Sequence, residues 1–150
     1  MMDKITERSA IVGWLKPLSR NAGTYDTDVV DMKLIKRAVV EVLCGAITTT
    51  GTLDVTLYGN TSSSTSGGTA ITGKSTTDST FNGSANSDGI ARIEVEAAEL
   101  EAQGLRYLYA EAVVANAAVV FAVTITAFDV RYGDAPGLIP DLAAVREIVY

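Results

Sequence analysis

The chain has 150 residues, 47% hydrophobic and 20% charged, with a formal net charge of −6; this is the composition of one globular domain able to bury its own core, not of a disordered chain. The absence of histidine excludes Ser-His-Asp triads, histidine general bases and imidazole zinc sites, and the single cysteine, Cys44, excludes an internal disulfide. The acidic body also argues against nucleic acid and anionic membrane as partners.

Residues 1–37 carry seven Lys/Arg against five acids, and the remaining chain carries the acidic excess. The opening MMDKITERSAIVGWLK places acids early and lacks an apolar run of signal length, so no signal peptide is expected. Residues 1–28 show no steady hydrophobic period and hold the only tryptophan. They read as an N-terminal arm. Trp14, Leu15, Leu18 and Tyr25 are its candidate contacts with a neighbour; folding back on the protein's own body is the open alternative.

A domain is expected over residues 29–133. DMKLIKRAVVEVLCGA opens it and fits two readings. Its apolar residues satisfy helical spacing, with Asp31 as a cap and Gly45 as a stop. Its β-branched content (Ile35, Val39, Val40, Val42) favours a strand. Cys44 reads as a small buried hydrophobe. TLDVTLY alternates with period two, placing Leu53, Val55 and Leu57 on one face. ARIEVEA does the same with Ile93 and Val95, and residues 105–114 with Leu108, Ala110, Ala112 and Val114. Residues 119–127 place Val119, Phe121, Val123, Ile125 and Ala127 together. AAELEAQG reads as a short helical turn with a glycine stop. Ala112–Phe128 is uncharged for 17 residues, near the lower limit of a membrane helix. Its polar residues and β-branched second half predict two strands joined at Ala115-Asn116-Ala117, and no membrane span.

Residues 60–89 form a polar stretch rich in Gly, Ser, Thr and Asn, read as one long loop whose middle is pinned by Ile71. It contains Gly68 and Gly73-Lys74-Ser75, the phosphate-loop spacing of nucleoside triphosphatases. That chemistry needs a buried strand before the loop and a helix starting at the Lys-Ser. NTSSSTSG and TTDSTFNGSANSDG supply neither. Asp129 is the tolerable candidate for the magnesium-holding acid. The match reads as chance in a biased loop. Glu94, Glu96, Glu99 and Glu101 read as a solvated carboxylate face, and Lys74-Ser75 as no preorganised dyad. The expectation is a protein with no catalytic residues, no cofactor and no metal. DAPGLIPDLAAVREIVY, residues 134–150, reads as a C-terminal arm, with Leu138, Ile139 and Tyr150 as candidate contacts and a short helix as the alternative. Together the segments predict an all-β fold: an antiparallel β-sandwich or jelly-roll-like domain with a long polar loop and two arms.

In order, Asp31-Met32, GTLDVTL with its polar loop, Ile71-Thr72-Gly73-Lys74, Glu99-Leu100 before Arg106-Tyr107, and Arg131-Tyr132 before Pro136 make a set. This order resembles small capsid-associated proteins of tailed bacteriophages, of the decoration or cement type. The resemblance covers about residues 24–136; the tail beyond Pro136 extends further than the group implies. It implies a structural virion protein on the capsid, made in the bacterial host cytoplasm. Its implied partner is the major capsid protein of the same phage, and its form a homo-oligomer, with a trimer at capsid three-fold positions favoured. A head-tail connector, tail or fibre-associated module is the alternative.

Overall fold

The structure, a computed structural model, describes residues 9–77 and 79–130. Nine strands follow in chain order: β1 (Ser9–Arg20), β2 (Gly23–Asp26), β3 (Val30–Asp31), β4 (Ile35–Ile47), β5 (Thr52–Asn60), β6 (Thr69–Ser75), β7 (Gly89–Glu96), β8 (Tyr107–Ala115) and β9 (Val119–Val130). One short helix, α1 (Ala97–Glu101), joins β7 to β8, and single 3-10 turns lie at Met32–Leu34 and Ser84–Asn86. All strand pairs are antiparallel. They form two sheets, ordered β1-β9-β4-β7 and β2-β8-β5-β6, with β3 also pairing β8. The fold is an antiparallel β-sandwich.

The period-two segments form the strands expected of them. Leu53, Val55 and Leu57 from β5 face Val40, Val42, Phe121, Val123 and Ile125 from the other sheet in one buried cluster. The opposite residues of these strands turn outward, as a pleated strand requires. DMKLIKRAVVEVLCGA resolves as one 3-10 turn followed by strand. Asp31 caps the turn by accepting from the Lys33 amide, and β4 runs through Gly45 to Ile47. Cys44 is buried, and burial pushes its thiol up to about 11. Asn116, with φ 64°, turns β8 into β9. Gly104, with φ 71°, ends the turn that follows α1.

Two boundaries differ from expectation. Residues 9–26 are not an arm: β1 lies along β9 from Ser9↔Phe128 to Arg20↔Val119. Two register shifts, at Ile11/Gly13 and Leu15/Leu18, break its alternation and hide the strand in the sequence. The polar stretch 60–89 is not one loop, because β6 runs through it and pairs with β5. Only Ile71 of that strand is buried, so it carries almost no apolar signal. The expected C-terminal arm, with Leu138, Ile139 and Tyr150, lies outside the described residues.

Both sides of the sandwich are closed by single side chains. On one side, Lys74 of β6 donates its Nζ to the Glu94 carbonyl of β7 at 2.7 Å and pairs with Glu99 Oε1 at 3.0 Å. On the other, the Asp28 carboxylate accepts from the Trp14 amide of β1 at 3.2 Å. Pro17, which has no amide to donate, sits in the bulged part of this same edge strand.

Candidate interaction surface

The phosphate-loop match is part of the fold's framework. Gly73, Lys74 and Ser75 lie on β6, no helix follows them, and the Lys74 amine is held by the Glu94 carbonyl and Glu99. Gly73 takes φ 74° within the bulge that displaces β6 from β5. Asp129 accepts from Arg37, so it too has a structural partner. The acidic run divides in the same way. Glu94 and Glu96 point outward from β7, and Glu96 and Glu99 form a capping box on α1. No cluster of three or more metal-ligating side chains occurs among the described residues, and no described helix is long and apolar enough to cross a membrane.

Several marks of the sequence resemblance converge at one end of the sandwich. Asp31 takes both Arg106 Nε at 2.9 Å and Nη2 at 2.5 Å, a bidentate pair. Met32 donates its amide to the Arg106 carbonyl, and Asp31 registers with Tyr107. Arg106 also lies over the Tyr107 ring, 5.0 Å from its centroid. These residues fasten the entry to β4 onto the entry to β8, a structural role for that part of the ordered set.

The ion pairs there carry a pH dependence. Hydrogen bonding by Arg106 holds the Asp31 carboxyl below its ordinary value, and the Glu96 amide followed by Lys74 does the same for Glu99. A depressed carboxyl contributes stability that is present above its unfolded-state pKa and lost as pH falls through its folded value. Urea midpoints should therefore hold steady from neutral pH down to about 5 and fall below about 4. Asp31→Asn should flatten that decline. An unchanged acid limb in Asp31→Asn would remove this pair as a contributor.

The two outer faces differ in chemistry. On the β2-β8-β5-β6 sheet, the rows read Thr24, Val113, Asp54 and then Asp26, Glu111, Thr56. This face is polar and acidic; the Tyr58 phenol is pushed up chiefly by the Glu111 charge beside it. Next to it, the segment 61–68 folds over Tyr109, whose ring stacks on Tyr58 at 5.5 Å. The Tyr109 hydroxyl donates to the Thr65 carbonyl, and a Cβ on Gly68 would fall 2.3 Å from that hydroxyl. Tyr109 is thus buried on an outward position by the loop, a contact that strand alternation does not reveal.

The outer face of the β1-β9-β4-β7 sheet mixes exposed apolar residues with charged ones, since Arg37, Glu41, Arg92, Glu94 and Glu96 also point outward there. Ile11, Leu43, Ile90, Val120 and Phe128 are all exposed, Ile90 at 61%. Between them lie half-buried Val39, Thr124 and Thr126. Arg92 pairs with Glu41 at 2.5 Å and Arg37 with Asp129, and Glu94 and Glu96 add two further carboxylates to the face. A shallow depression of about 580 Å³ runs between Val39, Glu41, Arg92, Glu94, Thr126 and Phe128. Four strands about 4.8 Å apart and some nine residues long give a face on the order of 500 Å². Exposed apolar side chains at both ends of that face, Ile11 and Phe128 at one and Leu43, Ile90 and Val120 at the other, mark it as a candidate protein contact.

This face was present in the sequence as an ambiguity. β4 reads as helix or strand because Val39 and Leu43 are apolar on one side while Ala38, Val40 and Val42 are apolar on the other. Antiparallel strands with one wet face alternate cleanly, and outward Val39 and Leu43 interrupt that alternation in β4 beside the charged Arg37 and Glu41. Of the contacts expected in the N-terminal stretch, Trp14 sits half-buried on this face opposite Thr124. Leu18 is 45% exposed at the sheet edge. Leu15 and Tyr25 pack against the protein's own core, Tyr25 edge-on to Phe121.

No protein-family model and no curated protein matches the chain. Solved structures do. A chain in the structure of infectious bursal disease virus, Gt strain, superposes with a TM-score of 0.51 at 12% identity, over 84% of this chain and 34% of that one. A chain of the Gx strain gives 0.47 at 14% identity, over 87% and 33%. The SPBc2 prophage-derived protein YomS gives 0.38 at 11%, over 74% and 93%. The chain spans about a third of the length of the viral chains it matches. What it shares with the Gt-strain chain at 12% identity is the two-sheet sandwich fold.

Proposed function

We propose that this protein is a non-catalytic structural component of a tailed-phage particle, attached in many copies to the capsid shell as a cement or decoration protein. The observation that carries this reading is the group of apolar side chains that the described residues leave exposed on the outer face of the β1-β9-β4-β7 sheet, on a sandwich whose sides are tied by Lys74 and Asp28. Such a body is suited to bury a surface against other proteins. The sequence resemblance to capsid-associated phage proteins supports the same reading, and the sandwich shared with a chain of a virus structure is compatible with it.

Copy number in purified particles, measured by quantitative mass spectrometry against the major shell protein, tests it. The expected result is one copy per shell subunit or a simple fraction of that. A handful of copies per particle would move the protein to the neck, tail or a fibre, and absence from the particle would end the virion reading.

A further inference from the structure

We propose that Asn82 is a site of self-modification: the Gly83 nitrogen displaces its side-chain amide, and the isoaspartate that results unlatches the turn seating Phe81. The inference stands apart from the virion reading and makes no use of the outer sheet faces.

Asn82-Gly83 is the only Asn-Gly step among the five asparagines of the chain. Glycine carries no side chain to shield its backbone nitrogen, so ring closure onto a preceding asparagine is faster there than before other residues. The fold keeps that glycine. Gly83 takes φ 71° and ψ 172°, a conformation open essentially to glycine alone, and a Cβ there would fall 3.1 Å from the Thr49 carbonyl oxygen. Asn82 is exposed, and no described residue hydrogen-bonds its side-chain amide. The carbon to be attacked, Cγ, is therefore open to solvent.

The nucleophile is held. Asn82 and Thr52, the first residue of β5, form an isolated antiparallel bridge. The Leu53 amide donates to the Phe81 carbonyl at 3.0 Å, and the Gly83 amide to the Gly51 carbonyl at 2.8 Å. Asn86 Nδ2 donates to the Asn82 carbonyl at 2.8 Å and fastens the same turn. While the Gly83 N–H points at Gly51, its nitrogen cannot turn toward Cγ, so modification proceeds from the locally opened turn. There the Gly83 nitrogen gives up its proton and bonds to Asn82 Cγ. The Cγ–Nδ2 bond breaks and ammonia leaves. The five-membered imide then takes up one water. Cleavage at Cγ gives aspartate with the chain in its original path. Cleavage at the main-chain carbonyl carbon of residue 82 routes the chain through Cγ as isoaspartate.

The fold accepts the two products differently. Aspartate leaves the backbone between Phe81 and Gly83 unchanged. Isoaspartate inserts a methylene between the two bridge hydrogen bonds, so they no longer close together. What they hold is a plug: Phe81 is 2% exposed within the core cluster, and a Cβ on Gly89 would lie 3.3 Å from its ring.

The test incubates the full chain in mildly alkaline buffer and follows the five asparagines by peptide mapping. Asn82 should convert ahead of Asn21, Asn60, Asn86 and Asn116, and more slowly than in the same protein unfolded in urea. Asn86→Ala removes one hydrogen bond from the closed turn and should speed native conversion about 2- to 12-fold, with an unchanged far-ultraviolet spectrum. Asn82→Asp reproduces the first product and should keep hydrogen exchange at the Leu53 and Gly83 amides close to that of the parent. The isoaspartyl fraction, separated by anion exchange and identified with an isoaspartyl methyltransferase, should exchange both faster. Native conversion that matches the urea rate, or that Asn86→Ala leaves untouched, would overturn the control by the bridge. Asn82 still intact when the other asparagines have converted would overturn the site. An isoaspartyl fraction with both amides still protected would overturn the unlatching.

Discussion

Phe121→Ala should lower the free energy of unfolding by about 3–5 kcal/mol, the range for truncating a buried aromatic side chain. Phe121 is 1% exposed. Its ring lies under the Arg20 guanidinium, 4.9 Å from the centroid, and edge-on to Tyr25 at 6.4 Å. Arg20 is itself buried, and no described carboxylate forms an ion pair with it. Its Nη1 donates to the Lys16 carbonyl at 3.0 Å and to the Phe121 carbonyl at 3.5 Å, and its guanidinium lies over the Phe121 and Tyr25 rings. Removing the ring opens a cavity and also strips a buried cation of one of its two aromatic faces. Phe121→Leu keeps apolar volume and should cost less. A double-mutant cycle with Arg20→Met should reveal a coupling of about 1–2 kcal/mol. Chemical denaturation measures all four proteins. A loss below about 1 kcal/mol for Phe121→Ala would mean that this end of the sandwich is not packed as described.

The second large effect is expected at Asn60, which ends β5 and is 6% exposed. Its Nδ2 donates to the carbonyls of Ser64 at 2.8 Å and Ser66 at 2.9 Å. Its Oδ1 accepts from the Thr61 amide at 2.7 Å and the Ser62 amide at 3.3 Å. One side chain thus stands in for four backbone partners of a loop that has no ladder of its own. At about 0.5–1.5 kcal/mol for each of the four hydrogen bonds, Asn60→Ala should cost about 2–6 kcal/mol. Asn60→Asp should cost more, because a carboxylate oxygen would replace the amide against two carbonyls. The distinctive readout is local. Amides of residues 61–66 should exchange faster in Asn60→Ala, and by a larger factor than those in the centre of β9, which speed up only in proportion to the loss of global stability. Unchanged exchange in the loop would show that the Tyr109–Thr65 contact alone orders it.

These two sites show which parts of the molecule sequence reasoning reaches. Strands with one buried face, such as β5 and β7, are legible because alternation is a local property: Leu53, Val55 and Leu57 need no knowledge of their partners. β1 is not, because two bulges shift its register and the pattern that defines a strand is interrupted twice in twelve residues. β6 is not, because a strand beside a single neighbour buries little, and only Ile71 marks it. Asn60 looks like any other polar residue in NTSSSTSG until the loop closes over it. The outer face left a trace of another kind: outward Val39 and Leu43 beside inward Ala38, Val40 and Val42 made helix and strand hard to separate in β4.

The small ties that close the sandwich decide how copies of this chain can add to one another. A sheet with a bare margin offers the same backbone pattern after each addition, so growth along it has no natural end. Here Lys74 occupies a carbonyl of β7, Asp28 occupies an amide of β1, and Pro17 withdraws another. Among the described residues these ties leave a sheet face as the broader surface for association, and a face is used up once it is covered. Association through it is therefore expected to stop at a fixed stoichiometry rather than extend into fibres.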